Sequence, residues 1–279
     1  MSSAGQDYVL GVHDAELARL GLQHRAWRAR ALELWRKGGL REGMRALDFG
    51  CGPGYASVDL AEIVGAAGEV LAVDRAGGFL GFLRSEAERR GLGQIHTREV
   101  DLAASGLELG QFDFAWARWI FAFTPDREAA LDNLVAALKP GGVAAVQEYI
   151  EYGAWRMLPR EPAIERFCAF VMQSWRDRGG EPNAAEAVIA GLLERGLEIV
   201  SVAPACEVVA PADPLWDWPE TFVQSNVPRL IDLGDLGAGE GAEILAAWER
   251  AKTRPGGRMV TPLTGLILAR KPDAAAEGA

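Results

Sequence analysis

A glycine-rich turn that directly follows a short apolar segment is the feature that most constrains the fold of this chain. The segment Met44–Phe49 leads into a turn that carries Gly50, Gly52 and Gly54. Glycine has no Cβ, so the backbone can approach a ligand closely at such a turn. A helix predicted over residues 56–64 points its first N–H groups and the positive end of its dipole at the same place. The turn and the helix together predict a cradle for a nucleotide-type ligand.

The spacing of these glycines argues against two common nucleotide-binding motifs. A dinucleotide-binding fingerprint has a third glycine, needed for close packing of helix on strand, where this chain has Tyr55. A phosphate-binding loop ends in Gly-Lys-Ser or Gly-Lys-Thr, and neither follows the turn. The sequence therefore disfavours a nicotinamide or flavin site and a nucleoside triphosphate site.

The run Asp-Phe-Gly-Cys-Gly-Pro-Gly resembles the first motif of class I S-adenosylmethionine-dependent methyltransferases. That motif is an acidic residue and an apolar residue followed by Gly-x-Gly-x-Gly. The resemblance implies S-adenosylmethionine as the cofactor and S-adenosylhomocysteine as the product. It also implies a set of cofactor-binding residues in the turn, among which the cysteine fills a small position: Asp48, Gly50, Cys51, Gly52 and Gly54.

Acidic residues end the next two predicted strands, in the order that the resemblance requires. The strand predicted over 69–74 ends in Asp74 and is followed by Arg75. An acid at this place in a doubly wound sheet can accept hydrogen bonds from both ribose hydroxyls. The next strand ends in Asp101, which precedes Leu102. The resemblance implies that this carboxylate accepts from the adenine amine and that the following backbone N–H meets a ring nitrogen.

A fourth strand and its exit loop are predicted over residues 112–119. The resemblance places this loop beside the methionine part of the cofactor, so Arg118 and Trp119 are candidate wall residues. In the competing interpretation, Asp101 and Arg118 only cap the ends of their strands.

The next helix is predicted to start at Thr124, with the hydroxyl as cap and proline at the first helical position. Its apolar stripe, at positions i, i+3, i+4 and i+7, would face the sheet, and a Lys-Pro-Gly-Gly turn would separate it from a fifth strand beginning at Val143. The stripe consists of Leu131, Leu134, Val135 and Leu138.

Strands that alternate with helices predict an α/β fold with a parallel sheet covered on both faces. The resemblance implies a Rossmann-like, seven-stranded, mostly parallel sheet closed by strands near 197–202 and 263–269. The chain has 279 residues, more than one domain of about 150 residues needs, so insertions are expected. We predict a cofactor-binding core over 40–150, 183–205 and 259–272, a helical lid from 1–39, 151–182 and 206–258, and a disordered tail over 273–279.

The N-terminal part of the predicted lid places Glu16, Arg19 and Gln23 on one helical face. Many small-molecule methyltransferases resemble this chain in having an N-terminal helix that folds over the cofactor. Arg19 or Gln23 would then meet the methionine carboxylate, with Tyr8 packed nearby. An exposed polar helix face is the equally weighted alternative.

Two further insertions are rich in aromatic residues, which suit a largely apolar or planar acceptor. They could equally form the core of a helical cap or a homodimer contact, and we favour a cap that also lines the pocket. The first insertion contains Tyr149, Tyr152, Trp155, Phe167, Phe170, Met172 and Trp175, and the second contains Trp216, Trp218, Phe222 and Trp248.

The expected function is methyl transfer to a small organic molecule, mainly by holding the nucleophile in line at about 3 to 3.5 Å with water excluded. A base would help with some acceptors, and the candidates are His13, His24, Glu148 and Tyr149, whereas His96 lies within a strand. The sequence leaves open whether the acceptor atom is O, N or C. The alternatives are a cofactor-binding protein of the same fold that transfers no methyl group and, less favoured, a nicotinamide-dependent oxidoreductase.

Charge and composition exclude several other classes. With 29 basic and 39 acidic side chains the net charge is −10, which opposes attraction to phosphates, so no nucleic-acid partner is expected. Three widely spaced cysteines indicate neither a disulfide framework nor a metal site. No leader or membrane-length apolar run is visible, so a cytoplasmic protein without a membrane partner is expected.

Overall fold

The computed structural model describes residues 14–273, and its centre is a seven-stranded sheet. Its strands are β1 Arg45–Phe49, β2 Glu69–Asp74, β3 Ile95–Glu99, β4 Phe112–Arg118, β5 Leu138–Glu151, β7 Glu198–Ala205 and β10 Leu263–Arg270. Their order across the sheet is β3-β2-β1-β4-β5-β10-β7. The first five strands pair in parallel, and β10 runs antiparallel to both of its neighbours. The predicted mostly parallel sheet is confirmed.

Helices cover both faces of this sheet, because its strands bury side chains on both sides. The helices are α1 Asp14–Lys37, α2 Tyr55–Val64, α3 Gly77–Arg90, α4 Arg127–Ala136, α5 Pro162–Arg176, α6 Ala185–Glu194, α7 Asp217–Asp232 and α8 Ala238–Thr253. Along β4, Phe114 and Trp116 pack with α1 and α2, whereas Ala115 and Ala117 belong to the cluster that contains α4 and α6. This alternation is the period of two expected of a strand.

The helix after β4 begins later and ends earlier in the chain than the sequence predicts. The predicted cap at Thr124 is wrong: its hydroxyl donates to the Ile120 carbonyl at 2.7 Å, and Asp126 caps α4 by accepting from Ala129 N at 3.0 Å. Leu138, predicted on the apolar stripe of this helix, is the first residue of β5. The strand therefore starts before Val143, and the Lys-Pro-Gly-Gly turn is an irregularity within it, where the pairing register to β4 shifts.

A second, three-stranded antiparallel sheet ties the two aromatic insertions together and was not predicted. It consists of β6 Arg156–Leu158, β8 Val208–Val209 and β9 Arg258–Val260, in the order β6-β9-β8. Strands of two or three residues are too short to show an alternating pattern. The boundary that we predict between lid and core at residues 258 and 259 falls inside β9.

Helix α1 has two halves with different surroundings. In its C-terminal half, Ala31, Leu34 and Trp35 are buried against the sheet, so the predicted lid of residues 1–39 includes a part that packs in the core. Its N-terminal half lies at the carboxyl edge of the strands. The candidate residues Tyr8 and His13, and most of the predicted tail, lie outside the described residues. Within residues 14–273, no helix is both long and apolar enough to cross a membrane.

Candidate functional site

The glycine turn after β1 has the backbone that its sequence predicts. Gly50, Gly52 and Gly54 have φ angles of 82°, 52° and 78°, in the left-handed region that favours glycine. A Cβ at Gly54 would collide with the Leu83 side chain, whereas a Cβ at Gly52 would point into open space with no heavy atom within 4 Å. Gly52 therefore presents bare backbone toward a space that a ligand can occupy.

Asp48 and Cys51 support this turn from within. Asp48 is only 2% exposed and accepts a hydrogen bond of 2.6 Å from the Ser57 hydroxyl in the first turn of α2. Burial raises the pKa of this carboxyl to about 6, although the Ser57 hydrogen bond and the nearby Arg118 charge act in the opposite direction. Cys51 is buried, and burial raises the pKa of its thiol well above the usual value. Both side chains hold the turn in place, and neither lines the cavity described below.

Asp74, at the end of β2, is joined directly to the glycine turn. One carboxylate oxygen accepts from Gly52 N at 2.8 Å and the other from Ala76 N at 2.9 Å. Burial raises the pKa of this carboxyl. The next residue, Arg75, is exposed and lines the cavity. The predicted contact of Asp74 with a ribose stays a prediction, and the carboxylate lies beside Gly52.

The residues after β3 form the third part of this edge. Asp101 is exposed, and its carboxylate accepts from Ala103 N at 3.0 Å. Leu102 is buried and lies 3.4 Å from the point that a Cβ on Gly50 would occupy. The structure thus brings Leu102 to the glycine turn, while the carboxylate of Asp101 lies in a surface turn and its adenine contact stays a prediction.

Sequence reasoning missed the residue that holds this segment. Asn133 on α4 is 2% exposed, and its amide nitrogen donates to the carbonyls of Leu102, at 2.9 Å, and Ala104, at 2.7 Å. Its amide oxygen accepts from Leu107 N at 3.0 Å. An amide among the apolar residues of a sheet-facing helix was the available signal, because buried amides need partners.

Arg118, at the end of β4, lies in a buried polar network that runs to α1 and α2. Its guanidinium donates to His24 Nδ1 at 3.3 Å, and His24 Nε2 lies 3.0 Å from the Asp59 carboxylate, which Arg28 also contacts at 2.8 Å. Burial lowers the pKa of Arg118 to about 10 and also lowers the pKa of His24. Among the described residues, Arg118 Nη1 is buried without a hydrogen-bond partner. This unused donor near Asp48 fits an anionic group such as the carboxylate of S-adenosylmethionine.

Trp119 is the one non-glycine residue of the described part with a positive φ, 52°. Such a conformation persists only where surrounding contacts fix it. The Trp119 ring lies between Tyr149, at a centroid distance of 5.4 Å, and Trp218 of α7, at 5.3 Å, and both rings are nearly parallel to it. Trp27 packs edge-on at 5.7 Å. This stack joins the carboxyl edge of the sheet to the helical lid.

The N-terminal half of α1 closes over the same region. Arg19 makes two hydrogen bonds with Glu16, at 2.7 and 2.6 Å, and a third with Gln23 at 3.3 Å. Gln23 also accepts from Trp218 Nε1 at 3.1 Å. Glu16 and Arg19 are buried, so the alternative of an exposed polar helix face is wrong for them. The Tyr55 hydroxyl adds an anchor by donating to a carbonyl of α1, that of Leu17, at 3.0 Å.

A cavity of about 420 Å³ extends from this edge between the lid helices. Arg19, Gln23, Arg75 and Trp119 line its cofactor end. Its walls are largely aromatic: Phe123, Tyr149, Tyr152, Trp155, Trp175, Trp218 and Phe222. Other aromatic residues of the insertions fill the interior of the lid: Phe167, Trp216 and Trp248. The insertions therefore form a packed cap and also line the pocket.

Of the four candidate bases, only Tyr149 lines this cavity within the described part of the chain. Burial raises the pKa of Tyr149 well above 10, so its hydroxyl remains protonated at neutral pH. His24 is enclosed by Arg118 and Asp59, and Glu148 is fully buried, where it accepts from Phe121 N at 2.9 Å. The geometry contradicts a role for these two as bases at the acceptor. His96 lies exposed on β3.

Comparison with known proteins supports the assignment of the core. Residues 46–142 match the family described as "Methyltransferase domain", which spans the sheet from β1 into β5. Demethylmenaquinone methyltransferase from Staphylococcus aureus is 31% identical over 127 residues, which are 45% of this chain and 50% of that protein. The chain thus spans about half the length of the curated relatives that it matches.

Two solved structures share the fold over most of the chain. The [4+2]-cyclase SpnF aligns with a TM-score of 0.55 and 21% identity, covering 88% of this chain and 81% of that one. Coclaurine N-methyltransferase, solved with N-methylheliamine and S-adenosylhomocysteine, aligns with a TM-score of 0.53 and 16% identity, covering 87% and 72%. At these identities the similarity establishes the fold alone.

Proposed function

We propose that this chain, whose residues 46–142 match a methyltransferase domain, is a class I S-adenosylmethionine-dependent methyltransferase that transfers a methyl group to a small organic acceptor. One observation carries the proposal: the glycine turn and the aromatic cavity meet at one edge of the sheet. Arg19, Gln23, Arg75 and Trp119 belong to the predicted cofactor site and also line the cavity. A cofactor held at the turn would therefore lie next to an acceptor in the cavity.

The residues of the turn suit S-adenosylmethionine, which supplies, when bound, a methyl group on a positively charged sulfur. Gly52 offers close approach to backbone, and the neighbouring Asp74 carboxylate can accept from ribose hydroxyls. The unused Arg118 donor can bind a carboxylate. Leu102 provides an apolar surface at the same turn. The four residues come from the ends of β1 to β4, the edge where open α/β sheets bind ligands.

The transfer step asks little of the side chains. A bond forms between the acceptor atom and the methyl carbon, the bond from that carbon to sulfur breaks, and its electron pair remains on sulfur. The methylated product then loses the acceptor proton to bulk solvent when it leaves the cavity. Among the described residues, the cavity lining contains no carboxylate, imidazole or lysine, which supports catalysis by positioning and exclusion of water. The protonated Tyr149 hydroxyl can orient an acceptor.

The proposal is tested by incubating the purified full chain with S-adenosylmethionine carrying a tritiated methyl group and a panel of planar phenols, amines and carbon acids. Acceptor-dependent formation of labelled product and S-adenosylhomocysteine is expected. Asp74→Ala should reduce this formation, and Asp132→Ala, an exposed change on α4, should not. Tight cofactor binding without transfer to any acceptor would favour the alternative, a cofactor-binding protein that transfers no methyl group.

The acceptor atom, O, N or C, is left open in this proposal. A cytoplasmic location, a homodimer and the lack of a nucleic-acid partner stay predictions from the sequence.

A further inference from the structure

Two tyrosine hydroxyls open onto the cavity without a hydrogen-bond partner. Tyr149 and Tyr152 both line the cavity and are only 5% and 3% exposed. Within residues 14–273, neither hydroxyl makes a hydrogen bond, and neither oxygen is among the fully enclosed side-chain atoms that lack a partner. The small exposed area of each residue therefore includes its hydroxyl oxygen. Because buried polar groups are normally hydrogen-bonded, this pair indicates a ligand that supplies the partner.

The backbone around these tyrosines is rigid. Tyr149 lies in β5, where it pairs with Thr264 of β10. Tyr152 begins the short helical turn Tyr152–Ala154, and its N–H donates to Asn183 Oδ1 at 2.8 Å. The two tyrosine rings pack perpendicular to each other, with centroids 4.9 Å apart. Since this packing fixes both rings, little side-chain freedom is lost when a ligand binds to the hydroxyls.

The hydroxyl pair lies at the cofactor end of the cavity. The Tyr149 ring stacks on Trp119, which follows β4. Burial raises the pKa of both hydroxyls well above 10, and the positive charge of Arg19 acts in the opposite direction on each. Both hydroxyls are therefore within electrostatic range of Arg19, which lines the cofactor end. At neutral pH each hydroxyl keeps its proton and can donate one hydrogen bond.

Three indole nitrogens around the pair are not available to a ligand. Trp218 Nε1 donates to Gln23 at 3.1 Å, and Trp155 Nε1 lies 3.2 Å from the Met259 sulfur. Trp119 Nε1 is fully enclosed. These indoles therefore shape the wall, whereas the two hydroxyls can bind a ligand atom.

A carbonyl oxygen matches two neighbouring hydroxyl donors, because its two lone pairs can accept from both. A cationic amine suits this end less well. The described lining residues include arginines but no aspartate or glutamate, so an ammonium group would meet positive charge and no carboxylate. The adjoining wall is aromatic, with Trp175 packed at 4.9 Å from Tyr152 and at 4.6 Å from Phe123, which suits a flat apolar body.

We propose that the acceptor is a planar, uncharged molecule with a carbonyl oxygen near its methylated atom, and that the hydroxyls of Tyr149 and Tyr152 both donate hydrogen bonds to this oxygen. This inference rests on the proposed function, because the cofactor site defines which end of the acceptor is methylated. The two side chains thereby select acceptors that carry such an oxygen and orient them toward the cofactor.

Calorimetry with three bicyclic probes of similar shape tests the inference on the full chain saturated with S-adenosylhomocysteine. The probes are 1-tetralone, tetralin and 1-aminotetralin. The ketone 1-tetralone should bind about tenfold tighter than tetralin, because tetralin leaves both hydroxyls without a partner. The cationic amine should bind most weakly. Equal or tighter binding of tetralin, tighter binding of the amine, or no binding of 1-tetralone would each overturn the inference.

Phenylalanine variants assign the preference to the hydroxyl pair. Tyr149→Phe and Tyr152→Phe each keep the ring and lose one hydroxyl, so each should lower the ratio of 1-tetralone affinity to tetralin affinity by about two- to tenfold. Ser85→Ala, which removes an exposed hydroxyl on α3, should keep the native ratio. Thermal melting shows that the variants are folded. A native ratio in either tyrosine variant contradicts the inference.

Isotope-edited infrared spectra of carbonyl-labelled 1-tetralone report on the hydrogen bonds themselves. Hydrogen bonding lowers the carbonyl stretching frequency, so the band of the bound ketone should lie below its position in cyclohexane. It should move back toward that position in each phenylalanine variant, and furthest in the double variant. A band that stays low in the double variant would assign the hydrogen bonds to another donor and overturn the inference. If S-adenosylhomocysteine does not bind, the proposed function fails, and spectra recorded without it still decide whether the hydroxyls bind the ketone.

Discussion

The rings of Trp119 and Trp218 lie face to face, with centroids 5.3 Å apart and an interplanar angle of 5°. Trp119 follows the fourth strand of the sheet, and Trp218 lies in the first turn of a lid helix. The positive φ of Trp119 costs about 1–3 kcal/mol, so the packing around the Trp119 ring must compensate for this strain. The stack therefore connects the stability of the lid to the end of β4 and the loop after it, which carry the candidate cofactor-site residues Arg118 and Trp119.

Truncation of Trp218 should destabilise the protein strongly. Trp218→Ala removes a buried ring from the stack and should lower the free energy of unfolding by about 3–5 kcal/mol. Trp218→Phe keeps a ring but loses the hydrogen bond to Gln23, so it should cost about 1 kcal/mol beyond any change in packing. Urea unfolding followed by circular dichroism measures both values. Leu193→Ala, on an exposed part of α6, is the control, and equal values for all three variants would refute the role of the stack.

Loss of the Asp74 carboxylate should weaken cofactor binding. Asp74→Ala removes the predicted acceptor for two ribose hydroxyls and releases Gly52 N, which the carboxylate holds at 2.8 Å. We expect S-adenosylhomocysteine to bind about 1–3 kcal/mol more weakly, measured by calorimetry. Asp132→Ala should leave the affinity unchanged. Unchanged affinity in Asp74→Ala would remove this residue from the site.

Asn133 should act on cofactor affinity without touching the cofactor. Asn133→Ala removes the amide that positions the backbone from Leu102 to Leu107, so the adenosine half should bind less well. The free energy of unfolding should also fall by about 2–4 kcal/mol, because buried backbone groups lose partners. The affinity for 5′-methylthioadenosine, measured well below the melting temperature, reports directly on binding of the adenosine half.

The variant Asn133→Asp separates the two functions of this amide. It keeps the acceptor for Leu107 N but sets a carboxylate oxygen against the carbonyls of Leu102 and Ala104, so its affinity for 5′-methylthioadenosine should fall at least as far as that of Asn133→Ala. Native affinity in Asn133→Ala would show that the segment holds its shape without the amide.

Glu148 should make stability depend on pH. Burial raises the pKa of this carboxyl to about 8, above a value near 4.3 in the unfolded chain. Between these values the folded protein holds a proton that the unfolded chain has lost, so stability falls as pH rises through this window. Glu148→Gln removes this pH dependence. The free energy of unfolding of the variant, relative to that of the native protein, should therefore rise from about pH 5 to pH 9. Glu186→Gln, on an exposed part of α6, should show no such trend, and parallel curves for Glu148→Gln would contradict the shifted pKa.

The sequence was sufficient for the sheet and the cofactor edge because their signals are local. A glycine turn after an apolar segment, and acids at the ends of two strands, locate Gly52 and Asp74 without knowledge of distant contacts. The cap at Asp126 was missed because Thr124, two residues earlier, offers another side-chain oxygen that can accept a hydrogen bond. Leu138 was assigned to a helix because a helical spacing of apolar residues can continue into the first residue of a buried strand.

Long-range contacts decided the rest of the site. Whether His24 faces a substrate or a buried carboxylate depends on Asp59, 35 residues away in the chain. Glu148 accepts hydrogen bonds from backbone N–H groups of the loop after β4, and the spacing of residues in the sequence does not reveal these partners. The stack of Trp119 on Trp218 joins segments that are far apart in the sequence. Such pairings are set by the packing of the lid on the sheet, which local patterns do not encode.

The proposed function requires the glycine turn to bind S-adenosylmethionine. This binding can be measured by calorimetric titration of the purified chain with S-adenosylmethionine and S-adenosylhomocysteine, with NAD and FAD as controls. We expect micromolar binding of the first two compounds and no binding of the controls. Binding of NAD or FAD instead, or no binding of the first two, would contradict it.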